Sequence, residues 1–274
     1  MTTSFDINAL ALLLSNAAEA EIRPRFRALA KGDIRTKADA TDLVTEADEA
    51  AERFIKAGIE AVVPGALFVG EESVAADPSL LAKLADAELA VVVDPIDGTF
   101  NFASGVPLFG VMASVVAGGE TVAGVIYDPM GDDFVMAEKG AGAWQTGGHR
   151  PEIRLKAANA VPLEQMTGMA STSFLSRERR ARVLGNLAKV AFVSNYRCAA
   201  HEYRTYAAGH LHYLMYNKLM PWDHLGGTLI VQEAGAYAAR FDGTPYLPHH
   251  VEGGLMIAPD KESWEMMRRE VFVD

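Results

Sequence analysis

Residues 91–102 read VVVDPIDGTFNF, and this stretch decides how the chain is interpreted. Its valines predict a buried β-strand, which runs into two acids, a proline and a glycine. The proline fixes its own φ, and Gly98 lets the backbone come close to a ligand. Asp94 and Asp97 can therefore converge on one cation, and such hard oxygen donors favour Mg²⁺ or Mn²⁺ over zinc. A plain surface turn is the competing explanation for an isolated pair of this kind.

Three other acidic segments are candidates for the same site. Glu71 and Glu72 follow a second short predicted strand, although adjacent glutamates are more often part of a solvated face. Asp42 and Asp48 flank a short segment before a predicted helix, where helix capping is a sufficient local explanation. Asp223 stands at the start of another predicted helix, where an N-cap and a metal ligand are compatible roles.

Working outward, the apolar spacing predicts alternating helices and strands. Helical spacing covers residues 6–30, 45–59, 80–86, 176–189, 199–208 and 223–235. Strands are predicted over 66–69, 90–93, 111–117, 121–127, 133–138, 191–194 and 211–216. The runs between 111 and 138 indicate an antiparallel meander. We expect an N-terminal α+β subdomain over 1–148, which carries the metal motifs, and a C-terminal α/β subdomain over 149–274, which completes the active site.

Composition narrows the class of protein. The chain has 274 residues, half of them apolar, so it can bury a sizeable core. A net charge of -11 argues against nucleic-acid binding. The single cysteine, Cys198, cannot form an internal disulfide. Because no apolar stretch approaches the roughly 20 residues of a membrane span, we expect a soluble cytoplasmic protein with no membrane partner.

The acidic motifs resemble those of the inositol monophosphatase family. The similarity rests on Gly70-Glu71-Glu72, on Asp94-Pro95-Ile96-Asp97-Gly98-Thr99 and on Trp222-Asp223 with Gly226-Gly227, in the family's order and spacing. It extends over nearly the whole chain, through residues 42–48, 124–129, 140–143 and 233–235. The resemblance implies an αβαβα layered sandwich (α/β class) and Mg²⁺-dependent hydrolysis of a small phosphorylated metabolite, a phosphate monoester, by metal-activated water. It also implies a homodimer.

The resemblance assigns metal ligands residue by residue. One ion would be held by Glu71, Asp94 and the carbonyl of Ile96, and a second by Asp94, Asp97 and Asp223. Two or three Mg²⁺ ions per site are expected, with Mn²⁺ as a substitute.

It also assigns catalytic and phosphate-binding residues. Thr99 would orient the attacking water, and Asp48 would hydrogen-bond that threonine, so that both count as catalytic together with Glu71. The backbone amides of Gly98 and Thr99 would face the phosphate.

The chain departs from the family where the rest of the substrate binds. Arg197, Cys198 and Ala199 occupy the usual Gly-Ser/Thr-Ala element, and Tyr216 replaces an inositol-contacting glutamate. We therefore expect inositol 1-phosphate to be a mediocre substrate, with Tyr216 stacking on a substrate face and Arg197 meeting a second anionic group.

Other basic residues stand close by in sequence: His201, Arg204 and Lys218. They make a more basic substrate end possible. The competing explanation is that His201 and Arg204 lie on a solvated helix face and that Cys198 is an inert buried thiol.

Alternatives of the same fold stay open. The metal motifs do not distinguish a fructose-1,6-bisphosphatase, a histidinol-phosphatase or a 3'-phosphonucleotidase. A non-catalytic regulatory homologue is the alternative outside the enzymes, and the complete set of carboxylates argues against it. A serine hydrolase is disfavoured, because the chain has no Gly-x-Ser-x-Gly elbow.

Overall fold

The computed structural model describes residues 5–37, 43–148 and 150–272, and Asp42 lies outside them. The helices are α1 Ile7–Ala17, α2 Glu46–Val62, α3 Glu71–Ala76, α4 Ser79–Asp86, α5 Thr99–Ala103, α6 Arg177–Leu187, α7 Ala199–Ala207, α8 Pro221–Glu233 and α9 Lys261–Val271. The strands are β1 Ile34–Thr36, β2 Leu43–Thr45, β3 Leu67–Gly70, β4 Leu89–Asp97, β5 Gly110–Ala117, β6 Glu120–Asp128, β7 Asp133–Glu138, β8 Gly142–Gly147, β9 Arg150–Arg154, β10 Thr167–Ala170, β11 Phe192–Ser194, β12 Tyr213–Tyr216, β13 Tyr237–Arg240 and β14 Leu255–Ala258.

A seven-stranded sheet in the order β3-β4-β5-β6-β7-β8-β9 forms the larger core. Only β3 and β4 in it are parallel, and the rest is antiparallel, so the predicted meander of β5, β6 and β7 is present. Successive side chains of a strand point to opposite faces. Val91 and Val93 accordingly pack toward α1 and α2, whereas Met112 and Ile126 pack toward α7 and α8 on the other face.

A five-stranded sheet in the order β11-β10-β12-β14-β13 forms the second core. Leu214 on β12 faces α7 and α8, and its neighbour Met215 faces α6 and α9. The layers therefore run α1/α2, seven-stranded sheet, α7/α8, five-stranded sheet, α6/α9. This is the predicted αβαβα sandwich, and α7 and α8 are the layer shared by both sheets.

The first helix is shorter than the sequence predicts. The spacing favours a helix to residue 30, but α1 passes into a π-helical turn at Ala18–Ile22 and a 3₁₀ turn at Arg23–Arg25. Pro24 explains the ending, since it has no amide hydrogen to continue the hydrogen-bond ladder. Helix α8 conversely begins before Asp223, with Pro221 in its first turn, where proline is well tolerated.

Two broader expectations concern the chain as a whole. In the three described segments, no helix is long and apolar enough to cross a membrane. The division into subdomains at residue 148 stays a prediction, and β9, which follows that point, pairs with β8 in the seven-stranded sheet.

Candidate active site

The end of β4 turns two acids toward one point. Between Asp94 and Asp97 the pairing with β5 shifts register, because Asp94 pairs with Met112 and Asp97 with Gly110. The extra residue on β4 is a β-bulge, which re-aims side chains that would otherwise alternate between faces. The turn after the bulge needs Gly98, whose φ is +88° and whose missing Cβ would lie 3.1 Å from Leu108 O.

Asp223 reaches the same point from α8. Carboxylate oxygens of Asp94, Asp97 and Asp223 all lie within 4.8 Å of one another. Burial raises the pKa of each of the three acids, and the mutual repulsion of the carboxylates adds to the rise at Asp94 and Asp223. Three buried acids that repel one another form a site that a cation would stabilise, and their oxygen donors fit a hard divalent ion.

Glu71 lies on the wall of the same cavity but outside that group of three. Lys37 Nζ lies 2.8 Å from Glu71 Oε1 and 2.6 Å from Glu72 Oε1. Burial alone would lower the pKa of Lys37, but the two carboxylates outweigh it and raise the value. Burial and the nearby Glu71 raise the pKa of Glu72 to about 7. Lys37 therefore forms salt bridges with both glutamates, and one carboxylate oxygen of Glu71 is already paired with its ammonium group.

Asp48 uses its two carboxylate oxygens for two different partners. Oδ2 accepts hydrogen bonds from the Thr45 amide at 2.8 Å and the Thr45 hydroxyl at 2.6 Å, which caps α2. Oδ1 lies 3.1 Å from Thr99 Oγ1, which is also 2.9 Å from the Ile96 carbonyl. Burial raises the pKa of Asp48 to about 7. The capping and the catalytic explanations of this acid are thus both compatible with the geometry.

The element at Arg197, Cys198 and Ala199 holds Asp97 in place. Asp97 Oδ2 accepts the Ala200 amide at 2.5 Å and lies 3.1 Å from Cys198 Sγ. Burial raises the pKa of the Cys198 thiol, which keeps it protonated as a donor to that carboxylate. Cys198 and Ala199 also line the cavity, but the hydrogen bonds of the Cys198 thiol are to Asp97.

These acids lie in a cavity of about 550 Å³, whose other walls include Arg197. Arg197 has a φ of 54°, in the left-handed region that favours glycine. Holding a side chain there costs on the order of 1–3 kcal/mol. Its guanidinium carbon lies 3.6 Å from the centroid of the Phe100 ring, which also lines the cavity.

Two further cations line this cavity, and two that stand close by in sequence do not. Lys218 lines it as its place in the sequence suggests, and Arg180 of α6 joins from a segment that the motifs do not touch. Arg204 instead pairs with Asp133, and His201 lies 3.1 Å from the Phe109 carbonyl. Both pack against the seven-stranded sheet, neither in the substrate cavity nor on a solvated face.

Tyr216 lines the cavity with only 4% of its surface exposed. Its ring packs against His224 at 4.5 Å and Tyr203 at 5.4 Å, so little of a ring face is left for stacking on a substrate. Burial lowers the pKa of His224 to about 4, which leaves the imidazole neutral. His224 Nε2 lies 2.9 Å from the Lys218 carbonyl.

Glu202 of α7 is an acid on this cavity that the motifs do not indicate. It is buried, its carboxylate accepts the Tyr196 amide at 2.8 Å, and burial raises its pKa to about 7. In the sequence it is an acid in the first turn of a helix, a common surface pattern. Only the packing of α7 against β12 brings it to the cavity.

Comparison with known proteins agrees with this geometry. The family model described as "Inositol monophosphatase family" matches residues 6–271. The chain is 32% identical over 206 residues to an inositol-1-monophosphatase of Mesorhizobium japonicum, covering 74% of this chain and 73% of the relative. It is 29% identical over 222 residues to a fructose-1,6-bisphosphatase/inositol-1-monophosphatase of Thermotoga maritima, covering 77% and 76%.

The fold agrees as well. The crystal structure of extragenic suppressor protein suhB from Bartonella henselae superposes with a TM-score of 0.81 at 25% identity, covering 97% of each chain. This chain therefore belongs to the inositol monophosphatase family, whose members are metal-dependent phosphomonoester hydrolases.

Proposed function

We propose that this protein hydrolyses a small phosphate monoester with Mg²⁺ as its resident cation. The observation that carries the proposal is the convergence of Asp94, Asp97 and Asp223 at one end of a cavity of about 550 Å³. We assign these three acids, together with Glu71 and the Ile96 carbonyl, as ligands of two or three ions, with Mn²⁺ as a substitute. Bound there, the cations would lower the pKa of water and neutralise charge on the phosphate.

The chain's own residues position and deprotonate the water. Thr99 Oγ1 can donate its proton to Asp48 Oδ1 and accept a hydrogen bond from the water at the same time. A base whose pKa is raised toward neutrality suits proton transfer near pH 7. Because Thr45 holds the other oxygen of Asp48, the acid cannot rotate away from Thr99.

The phosphate would lie against the first turn of α5. The first amides of a helix have no acceptor within it, so the amides of Gly98 and Thr99 are suited to an oxyanion. The turn that presents these amides needs glycine, because a Cβ at Gly98 would meet Cys198 and the Leu108 carbonyl at 3.1 Å.

Inositol 1-phosphate is a mediocre substrate in this proposal. A charged acceptor is missing at position 216, and losing one is worth on the order of 1.5–3 kcal/mol, or roughly tenfold or more in kcat/KM. The cavity is lined by Arg197, Cys198, Ala199 and Tyr216, and we assign these residues to the part of the substrate beyond the phosphate. Fructose 1,6-bisphosphate, histidinol phosphate and 3'-phosphonucleotides belong to the same test panel.

Phosphate release from such a panel tests the proposal. We expect activity with Mg²⁺, its loss in EDTA and its recovery when Mg²⁺ is restored. Asp97→Asn and Asp223→Asn should nearly abolish turnover in folded protein, while Asp77→Asn, an exposed acid beside Ser79, should leave it unchanged. Turnover in EDTA, or near wild-type kcat in Asp223→Asn at saturating Mg²⁺, would overturn the assignment.

A non-catalytic regulatory role is the second candidate from another class. The complete set of acids and the hydrogen bond between Thr99 and Asp48 favour catalysis, because a binding protein needs neither. A folded wild-type protein that releases no phosphate from any substrate in the panel would favour the regulatory role.

We further propose a cytoplasmic homodimer. The dimer is what the family resemblance implies, and Leu184, Phe192 and Val193 are exposed apolar side chains that a second copy could cover. The lone cysteine fits a reducing compartment. Light scattering at micromolar concentration would give a dimer mass, and a monomer mass would contradict the proposal.

A further inference from the structure

We propose that Arg180, Arg197 and Lys218 form a second anion subsite in the cavity, so that the preferred substrate carries a second phosphate besides the one that is hydrolysed. This inference rests on the proposed function and names its substrate class. Three separate parts of the chain supply the cations. Arg180 lies in α6, Arg197 directly precedes the N-cap residue of α7, and Lys218 lies between β12 and α8.

In the part of the chain that the structure describes, the charges of the three side chains are unpaired. Within residues 5–37, 43–148 and 150–272, none of them forms an ion pair or a side-chain hydrogen bond. Lys37, in contrast, is paired with Glu71 and Glu72. All three are solvent-exposed where they line the cavity, so their unpaired charges are available to a ligand.

The three cations share the cavity with the metal ligands. Aromatic rings hold two of them: Arg197 lies over Phe100 at 3.6 Å, and Lys218 Nζ lies 5.5 Å from the centroid of Phe174. Lys218 is near enough to Asp223 to oppose the rise in the pKa of that acid. Lys218 therefore lies toward the acids, while Arg180 lines the cavity from α6.

The strained backbone of Arg197 is an independent argument. Its φ of 54° would suit a glycine, which the family resemblance places at this position. The Arg197 amide donates to Asn195 Oδ1 at 2.8 Å, which fixes the turn. A structural role does not require a long cation in a conformation that disfavours any side chain. The strain is explained if the guanidinium is needed in the cavity.

The dimensions and chemistry fit a bisphosphate. A volume of about 550 Å³ lies in the range of sites for whole small metabolites and exceeds the need of one phosphate. Guanidinium groups bind phosphate through two parallel hydrogen bonds, which is stronger than binding to a neutral hydroxyl. The cavity thus combines acids suited to cations with unpaired cations suited to a second phosphate.

Kinetics on a matched pair of substrates test the subsite. Glucose 1-phosphate and glucose 1,6-bisphosphate differ only by the second phosphate. We expect the wild type to favour the bisphosphate at least tenfold in kcat/KM, mainly through KM. Arg180→Gln/Arg197→Gln should reduce that preference by about tenfold or more. Arg177→Gln, an exposed arginine of the same helix that does not line the cavity, is the matched control and should keep the wild-type ratio.

Two further measurements separate recognition from folding. Because the contacts are ionic, the KM for the bisphosphate should rise with salt more steeply than the KM for the monophosphate, and the double variant should lose this difference. Arg197→Gly should keep or raise Tm, since glycine relieves the strain, while lowering the preference for the bisphosphate. A lowered Tm with an unchanged preference would show that Arg197 is structural and overturn the inference.

The outcomes also distinguish this inference from the proposed function. Equal kcat/KM for the two substrates in the wild type, or an unchanged ratio in the double variant, would overturn the subsite alone. A wild type that hydrolyses neither these two substrates nor any other phosphate monoester, with Mg²⁺ present, would overturn the proposed function.

Discussion

Asp48 links the folding of α2 to the chemistry of the site through one carboxylate. Asn at this position would donate to Thr99 Oγ1 instead of accepting its proton, so Asp48→Asn should lower kcat about 10²-fold or more. Thr99→Ala should lower kcat similarly, with less effect on Mg²⁺ affinity, since Thr99 is not an assigned ligand. Steady-state kinetics against Mg²⁺ concentration measure both effects.

The matched control for Asp48 is Asp6→Asn. Asp6 caps α1 by accepting the Asn8 amide at 2.8 Å, away from the cavity. We expect a small loss of stability with kcat unchanged. If Asp48→Asn and Thr99→Ala were as active as the wild type, Asp48 would be a helix cap only.

Glu202 should make stability depend on pH. Its folded pKa of about 7 exceeds the ordinary value of 4.5, so the folded state binds the proton more tightly than the unfolded state. This contribution is fully present below pH 4.5 and is lost as the pH rises through 7, by on the order of 3 kcal/mol.

Glu202→Gln, which keeps an acceptor for the Tyr196 amide, should flatten that dependence. Chemical denaturation in EDTA between pH 5 and pH 8 measures it. The variant should be the more stable protein at pH 8. An unchanged pH profile would show that Glu202 does not titrate in this range.

Local motifs account for the site residues that sequence could predict. Asp94, Asp97 and Thr99 lie within a few residues of one another, and Trp222 marks Asp223. Arg180 and Glu202 belong to ordinary amphipathic helices, and only tertiary packing brings them to the cavity. The sequence Arg-Cys-Ala contains no glycine, so it likewise gives no sign of the positive φ at Arg197.

At the scale of elements, α8 is fitted closely between its neighbours. A Cβ at Gly227 would overlap the Tyr203 ring, which cannot easily move because its hydroxyl lies 3.1 Å from His224 Nδ1. Gly227→Ala should therefore cost about 1–3 kcal/mol through overpacking. Because α8 carries Asp223, Mg²⁺ affinity should fall as well.

Gly185 in α6 is the matched control, since a Cβ there would meet nothing within 4 Å. Gly185→Ala should stabilise the protein by about 0.5–1 kcal/mol, because alanine is the better helix former. Thermal unfolding of both variants gives the comparison. Equal effects of the two substitutions would contradict the close packing of α8 against α7.

Elements with a strong local pattern were the predictable ones. The strands β4 to β7 and the helices α2, α7 and α8 follow from apolar spacing and turn residues. The strands β13 and β14 have four residues each, and they are defined by the pairing of β14 with β12 and of β13 with β14, which sequence order does not reveal. Helix α9 lies outside the predicted elements, although Trp264, Met267 and Val271 have helical spacing.

For the whole molecule, the buried acids predict that cation binding stabilises the fold. Mg²⁺ at 100 times its Kd adds about 2.7 kcal/mol, which corresponds to a rise of roughly 5 °C in Tm. Asp223→Asn should shrink this rise. In EDTA the same variant should melt above the wild type, because one of three mutually repelling acids is gone.

Differential scanning calorimetry with and without Mg²⁺ measures both shifts. Asp77→Asn, at an exposed turn, should behave as the wild type. If the Tm of the wild type did not change on addition of Mg²⁺, the assigned cation site would be wrong.

The shared layer of α7 and α8 has a consequence for synthesis on the ribosome. The seven strands of the larger sheet are complete once residue 154 has emerged, yet the helices that cover its second face end only at residue 233. Met112 and Ile126 on that face stay in contact with water during the interval. Nascent chains of intermediate length therefore carry an apolar surface that invites aggregation or chaperone binding until α8 is released.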